Sequence, residues 1–377
     1  MLVPKTARFV IALGLLTFAK PAPAQDNNEI RAWIQQMGSP RFAEREQAER
    51  RLAQSDRAVA LIKLALVSDA TPEVRRRCSR LLDQRRSGMR DDLVRELERM
   101  ARRGEYARGT ATAVAWRYDL REKLRDYHAA AAQSLAAAVE QKTGQPAEVP
   151  KLKNTRALVL ENDTPTRCVF HTLFALRELE LGHACTCSFL VTGSLRTNAS
   201  LTSCVALVNG SVMLRNVNRS VVFVDGNLTL EDAEESLIVC TGTVESQAGF
   251  DNCTVVCGGA IKAPAENSPK SILRSKDKDL AALVRPWNAA ELGVEPASRE
   301  GRVYAGRVDP KSPMGAAGVE PSDLLLSLDG QTISTRDDAL NLLRRKSTEF
   351  LPFAVRVKRG ERELELIAPW TVPPAAR

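Results

Sequence analysis

The sequence predicts a multidomain α+β chain: a helical amino-terminal region, a parallel β-solenoid, and a small carboxy-terminal domain of strands with two helices. Three observations predict it. Apolar residues recur at helical spacing from about residue 38 to 140, five mid-chain segments align on a glycine every 16 or 17 residues, and residues 285 to 370 alternate short strands with two short helical stretches. At 377 residues and 44% hydrophobic, the chain is long enough for several cores, since single cores rarely grow past about 250 residues.

The first 24 residues are expected to stand apart. "MLVPKTAR" is basic, "FVIALGLLTFA" is an apolar run of 11, and Ala22 and Ala24 occupy small-residue positions before Gln25. A bilayer span needs about 20 apolar residues, so the run reads as a cleaved signal peptide and the chain as periplasmic or secreted, with no membrane span after cleavage. Lys5, Arg8 and Lys20 supply three of the net +8 charges, leaving +5 on the mature chain. That balance is too mild to expect nucleic acid as a partner. The run Arg75, Arg76 and Arg77 reads as a solvated helix face.

In the helical region, residues 25–150, "SPRFAEREQAERRLA" opens on Ser39 and Pro40, with Phe42, Ala48 and Leu52 near one face. "TPEVRRRCSRLLDQ" repeats the opening at Thr71 and Pro72, with Val74, Cys78, Leu81 and Leu82 at i, i+4, i+7 and i+8. "DRAVALIKLALVS" is the apolar partner between them. Residues 38 to 86 resemble a HEAT-type helical hairpin repeat, a unit that stacks because it cannot bury its own face. A further helix is expected around Met89, Leu93, Leu97 and Met100, and a long one from Ala111 to Glu140.

Residues 151–266 are expected to form the solenoid. "CSFLVTGSL", "CVALVNGSV", "SVVFVDGNL", "SLIVCTGTV" and "CTVVCGGAI" align on Gly193, Gly210, Gly226, Gly242 and Gly259, at spacings of 17, 16, 16 and 17. Stacked coils about 4.8 Å apart turn each offset into a column. Small residues (Cys187, Cys204, Ser220, Ser236, Cys253) begin the inward set, and the columns from Phe189 and from Val191 continue it. The intervening column Leu190, Leu207, Phe223, Val239 and Val256 then faces outward, and it is wholly apolar. Such a stripe requires a cover, either the helical region or a second copy of the protein. By period and glycine turn, the segment resembles bactofilin-like and other short right-handed β-helices.

Eight cysteines in an exported chain suggest disulfides, but those at one offset on adjacent coils run parallel, which suits small buried hydrophobes better. No metal set appears at ligand spacing. The triplets at Asn198, Asn209, Asn218, Asn227 and Asn252 read as turn chemistry in preference to glycosylation. Residues 267–284 are polar and proline-containing, and read as a linker that lets the last domain move.

In that last domain, "GRVYAGRVDPKSPMGAAGVEPSDLLLSLDGQTIS", "TRDDALNLLRRK" and "FAVRVKRGERELELIAP" resemble a PDZ domain of the bacterial, HtrA-type kind. Ser322 departs from the glycine usual there. The resemblance implies a PDZ β-sandwich or barrel with two helices, and a polypeptide ligand added as an edge strand. It places the carboxylate cradle at Leu292, Gly293 and Val294, and the facing wall at Arg336, Leu340 and Leu343, with a core role for the two leucines as the alternative.

No catalytic, metal or cofactor site is expected. The histidines are His128, His171 and His183, and no nucleophile motif accompanies them. Asp225 has no second carboxylate in its neighbouring columns for acid–base work on polysaccharide. The chain is therefore expected to be an exported, non-enzymatic scaffold binding a polypeptide through its PDZ domain, with self-association through the solenoid as a further contact. The alternatives are a solenoid enzyme acting on polysaccharide and a regulatory PDZ subunit of a protease.

Overall fold

A computed structural model describes residues 27–369 apart from 69, 121–123, 153–155, 161–166, 170, 176–177, 265–267, 269 and 286–288. The expected leader, 1–24, lies outside the described residues. Among those described, no helix is long and apolar enough to cross a membrane.

The helical region comprises α1 (Asn27–Gln36), α2 (Phe42–Gln54), α3 (Ala58–Val67), α4 (Pro72–Arg102), α5 (Tyr106–Ala115), α6 (Arg117–Leu120) and α7 (Leu124–Thr143). Thr71 caps α4 as its sequence suggests, its hydroxyl accepting from the Val74 amide at 3.4 Å. Ser39 does not cap α2. It lies two residues too early, and its hydroxyl donates to Glu44 Oε2 at 2.6 Å. The two helices expected between 72 and 100 are one helix of 31 residues, because Gly88 sits at an open surface and costs only about 1 kcal/mol there. Conversely, the single helix expected over 111–140 is broken at Trp116, whose indole N–H leaves the helix line to donate to Thr348 O at 3.1 Å. Nor does the arginine run simply face solvent: Arg77 is buried, bonded to Glu73 at 2.8 Å, Glu46 at 3.0 Å and Glu49 at 2.5 Å.

The solenoid has one eight-stranded parallel sheet and a second, more broken wall. Register pairs Leu190 with Leu207, Leu207 with Phe223, Phe223 with Val239, and Val239 with Val256, so the outward stripe is real. It is also fully covered. These five residues share one core with Tyr106, Tyr127, Ala131, Leu135 and Val139 of α5 and α7, while Phe189, Val222, Ile238 and Val255 fill the separate solenoid interior. The cover is thus the chain's own helical layer. The column extends beyond the five glycine-anchored coils: Phe174 pairs Leu190 at one end and continues the apolar stripe, and Arg274 pairs Val256 at the other and ends it. Arg156–Leu160 and His171–Ala175 form the opening rungs of the sheet.

Each corner before the inward small residue uses a non-glycine residue in the left-handed region: Thr186, Ser203, Arg219, Glu235, Asn252 and Lys270 have φ between 47° and 56°. The next residue folds its side chain back onto the ladder. Ser220 Oγ accepts the Cys204 amide at 3.0 Å, Ser236 Oγ accepts the Ser220 amide at 3.1 Å, and Ser271 Oγ accepts the Cys253 amide at 3.0 Å. A short polar side chain at this offset therefore satisfies a buried amide that the corner has turned out of the sheet. Ser220→Ala is expected to lower unfolding free energy by about 1–3 kcal/mol, because the Cys204 amide is left without an acceptor. Urea titration would read this, with Ser220→Cys expected to lose less.

The eight cysteines carry no disulfide. Burial pushes the Cys240 thiol up to about 12 and the Cys253 thiol up to about 11, so both stay protonated packing groups.

The segment expected as a linker is part of the body. Ile272–Arg274 pairs with the preceding rung, and α8 (Leu280–Leu283) packs into the helix–solenoid core, with Lys142 paired to Asp277. The apolar spacing of Leu280, Leu283 and Val284 outweighs the segment's polar composition.

The carboxy-terminal domain contains β1 (Val294–Arg299), β2 (Arg302–Val308), α9 (Pro313–Ala316), β3 (Leu324–Leu328), β4 (Gln331–Thr332), α10 (Arg336–Glu349), β5 (Phe353–Arg359) and β6 (Arg362–Ala368). The sheet runs β1-β2-β3-β5-β6, with β4 paired to β3. A capping box between Thr335 and Asp338 starts α10. Ser322 takes the glycine-like backbone of its family position, at φ 73°. This domain does not swing freely. Phe350 and Leu351 join the helix–solenoid core, Ala354 and Ile367 join the core of α1 to α3, and Lys63 on α3 is within 3.0 Å of both Asp329 and Glu349.

Candidate functional site

Among the described strands β1 pairs with β2 alone, which makes it an edge strand, and α10 lies against it. The seam between them is the peptide cleft expected from the sequence: Gly293, Arg336 and Leu340 reach its surface, whereas Leu292, Val294 and Leu343 are buried beneath it. Leu292 closes a 3-10 turn that starts at Ala289, and Gly293 follows at φ +79°. A Cβ there would lie 1.8 Å from Ser312 Oγ, so only glycine lets this loop pack on the cap of α9. Asp309 N donates to Gly293 O at 2.8 Å and fixes the loop from the other side. Leu292 and Val294 both point into the domain core, leaving backbone to form the cradle surface.

On α10, Arg336, Leu340 and Leu343 are spaced i, i+4 and i+7 and share the face toward β1. Leu343 is buried in the core with Leu292 and Val294, which is the bland role the sequence left open for it. Leu340 is half-buried against the same core. Arg336 reaches across the cleft, its Nε donating to Pro296 O at 3.0 Å.

Pro296 had no part in the sequence reading, although a proline inside a strand signals a free edge. Its orientation follows from its partner. Ala305, opposite it, donates its amide to Asp323 O at 2.8 Å and accepts from Ser322 N at 2.7 Å, so both of its main-chain groups face β3. Pro296 therefore turns its own main-chain positions outward, toward the cleft.

The far end of the cleft is tied to the helical layer. Arg108 on α5 lies 2.6 Å from Glu291 Oε2 and stacks over Phe350 at 5.4 Å. Burial pushes the Glu291 carboxyl up, against the opposing pull of Arg108. This anchor was not visible in the sequence, where Arg108 and Glu291 lie 183 positions apart.

His128 is fully buried beside Tyr127 and Phe174, and burial holds its imidazole down at about 3. Asp225 is taken by a hydrogen bond from Thr241 at 3.0 Å. Among the described residues no group of three or more His, Cys, Asp or Glu side chains could hold a metal ion.

Residues 290–368 match the family model described as PDZ domain. They form a PDZ domain, a module that binds peptides, at the carboxy-terminal end of the described chain. Among solved structures, an HtrA-type protease with decapeptide is similar at 22% identity over 22% of this chain and 30% of that one, with a TM-score of 0.20. A likeness of that size carries no argument about activity. No curated protein matches the chain.

Proposed function

We propose that this protein is an exported, non-enzymatic interaction scaffold, in which the PDZ domain holds an extended polypeptide or chain terminus and the helix-clad solenoid is its mount. The observation that carries the reading is the unpaired edge of β1 facing α10 within a PDZ domain. Backbone pairing along that edge supplies affinity without demanding one sequence. A cleft of this kind is expected to bind with Kd of about 1–100 µM, near −8 kcal/mol or weaker.

The mount is supported by the solenoid's surfaces. One face is covered by the chain's own helices and needs no second copy. On the other wall, Arg215 pairs with Glu231 and Arg219 with Glu235, each one coil apart, which leaves those charges neutralised by each other and not arrayed for a polysaccharide. Export rests on the leader-like first 24 residues.

The test is to incubate the chain from residue 25 with immobilised peptides bearing free carboxyl termini, and in parallel with casein and an acidic polysaccharide. Capture without cleavage is expected. Turnover of either polymer, or no capture at about 100 µM peptide, would overturn the reading.

A further inference from the structure

The two walls of the cleft are already joined by a polar bond, and its geometry says what a ligand must bring. Outward main-chain positions on β1 recur every second residue, at Val294, Pro296 and Ser298. A strand added to this edge would exchange bonds at each of them. At Pro296 there is no amide to donate, and the carbonyl is held by Arg336 Nε at 3.0 Å. The middle rung is thus closed twice over, once by the proline ring and once by the arginine strap.

The strap's charge is otherwise unanswered. Among the described residues no carboxylate forms an ion pair with Arg336. The nearby Asp338 is committed elsewhere, accepting from the amides of Ser334 at 3.2 Å and Thr335 at 2.8 Å. A neutral peptide that displaces the guanidinium from Pro296 O regains one bond there and loses one. A peptide with a carboxylate at that point replaces a neutral acceptor by a charged one, a hydrogen bond roughly twice as strong.

We infer that the cleft selects extended peptides carrying an Asp or Glu side chain opposite Arg336. The peptide carboxylate takes the guanidinium while a peptide amide takes Pro296 O. Pro296 lies three residues from Gly293, about 10 Å along a strand, so the acidic side chain falls about three residues before an end seated in the cradle. This inference rests on the PDZ reading of the cleft and specifies its ligand.

The experiment uses the chain from residue 25, as wild type, Arg336→Gln and Pro296→Ala, with matched decapeptides that differ by Glu or Gln at the acidic position. These are drawn from a random carboxy-terminal library, and affinity is read by fluorescence polarisation. Wild type is expected to prefer the Glu peptide by about tenfold, and the preference is expected to shrink as salt is raised. Arg336→Gln is expected to bind both peptides alike. Pro296→Ala restores the missing donor and is expected to tighten both peptides. Equal binding of Glu and Gln peptides by wild type, or a preference that survives in Arg336→Gln, overturns the acidic selection while leaving peptide binding intact. Failure of Pro296→Ala to tighten either peptide removes the blocked-edge premise. Capture of no library member by any of the three proteins overturns the PDZ reading along with it.

Discussion

Phe223→Ala is expected to lower unfolding free energy by about 4 kcal/mol and to release α5 and α7 from the solenoid. Phe223 is fully buried, stacked in its column between Leu207 and Val239, with its ring centroid 5.4 Å from that of Tyr106. Truncation opens a void in the apolar face that joins the two layers, beside the hydrogen bond from Asn209 Nδ2 to Ala107 O at 2.7 Å. The control is Phe189→Ala, which removes the same side chain from the solenoid interior. Both variants lose stability, but only Phe223→Ala should speed hydrogen exchange in α5 relative to the solenoid strands. A loss below about 1 kcal/mol, or α5 protection unchanged from wild type, would show that the stripe is not what holds the layers together.

Lys63→Met is expected to destabilise the chain by about 3–5 kcal/mol and to loosen the PDZ domain from α3. Two ammoniums and two carboxylates meet there. Lys63 Nζ lies 2.8 Å from Asp329 and 3.0 Å from Glu349, and Lys346 Nζ lies 2.8 and 2.9 Å from the same pair. Asp329 also accepts the Ala354 amide at 2.7 Å. Removing Lys63 leaves the buried group with an uncompensated negative charge. Burial tends to raise the Glu349 carboxyl, yet the two lysines outweigh it and hold it at about 2, below its usual 4.5. With the folded value depressed, the group's contribution is present above about pH 4.5 and is lost as pH falls toward 2. In Lys63→Met one of the two pulls is gone, so stability should depend less steeply on pH across that window. Adding Glu349→Gln should recover part of the loss, since it restores charge balance. Melting curves between pH 2 and 7 read both effects; an unchanged pH slope in Lys63→Met would rule out this coupling.

Much of the fold was legible because a solenoid writes its geometry as a period. The glycines at 193, 210, 226, 242 and 259 marked the turns, and the apolar alternation around Phe223 marked both faces. The outward stripe even demanded its cover. The helical region was one of the two covers expected, but the choice between it and a second copy was not legible, since α5 and α7 share their spacing with any amphipathic helix, and the break at Trp116 depends on a carbonyl 232 positions away. The last rung at Ile272–Arg274 was missed because it carries no anchor glycine and follows an 18-residue step from Cys253 to Ser271. The corners were hidden for another reason: the left-handed residues Thr186, Arg219, Glu235 and Asn252 share neither charge, size nor shape.

At the cleft, Leu292, Gly293 and Val294 could be placed by resemblance, because the glycine's positive φ is a local requirement. Leu343 and Leu340 could be placed on a face, though not assigned between core and cleft. Nothing local in the sequence marks Lys63 and Lys346, which are turned inward only by the docking of one domain on another.

The tie between Arg108 and Glu291 has a mechanical meaning. A chain gripped in the cleft and pulled would load the cradle, and from there the load would pass through Glu291 and Arg108 into α5 and on to the stacked coils. The assembly would behave as a bracket, delivering tension at its tip to its base and holding whatever it grips at a constant angle.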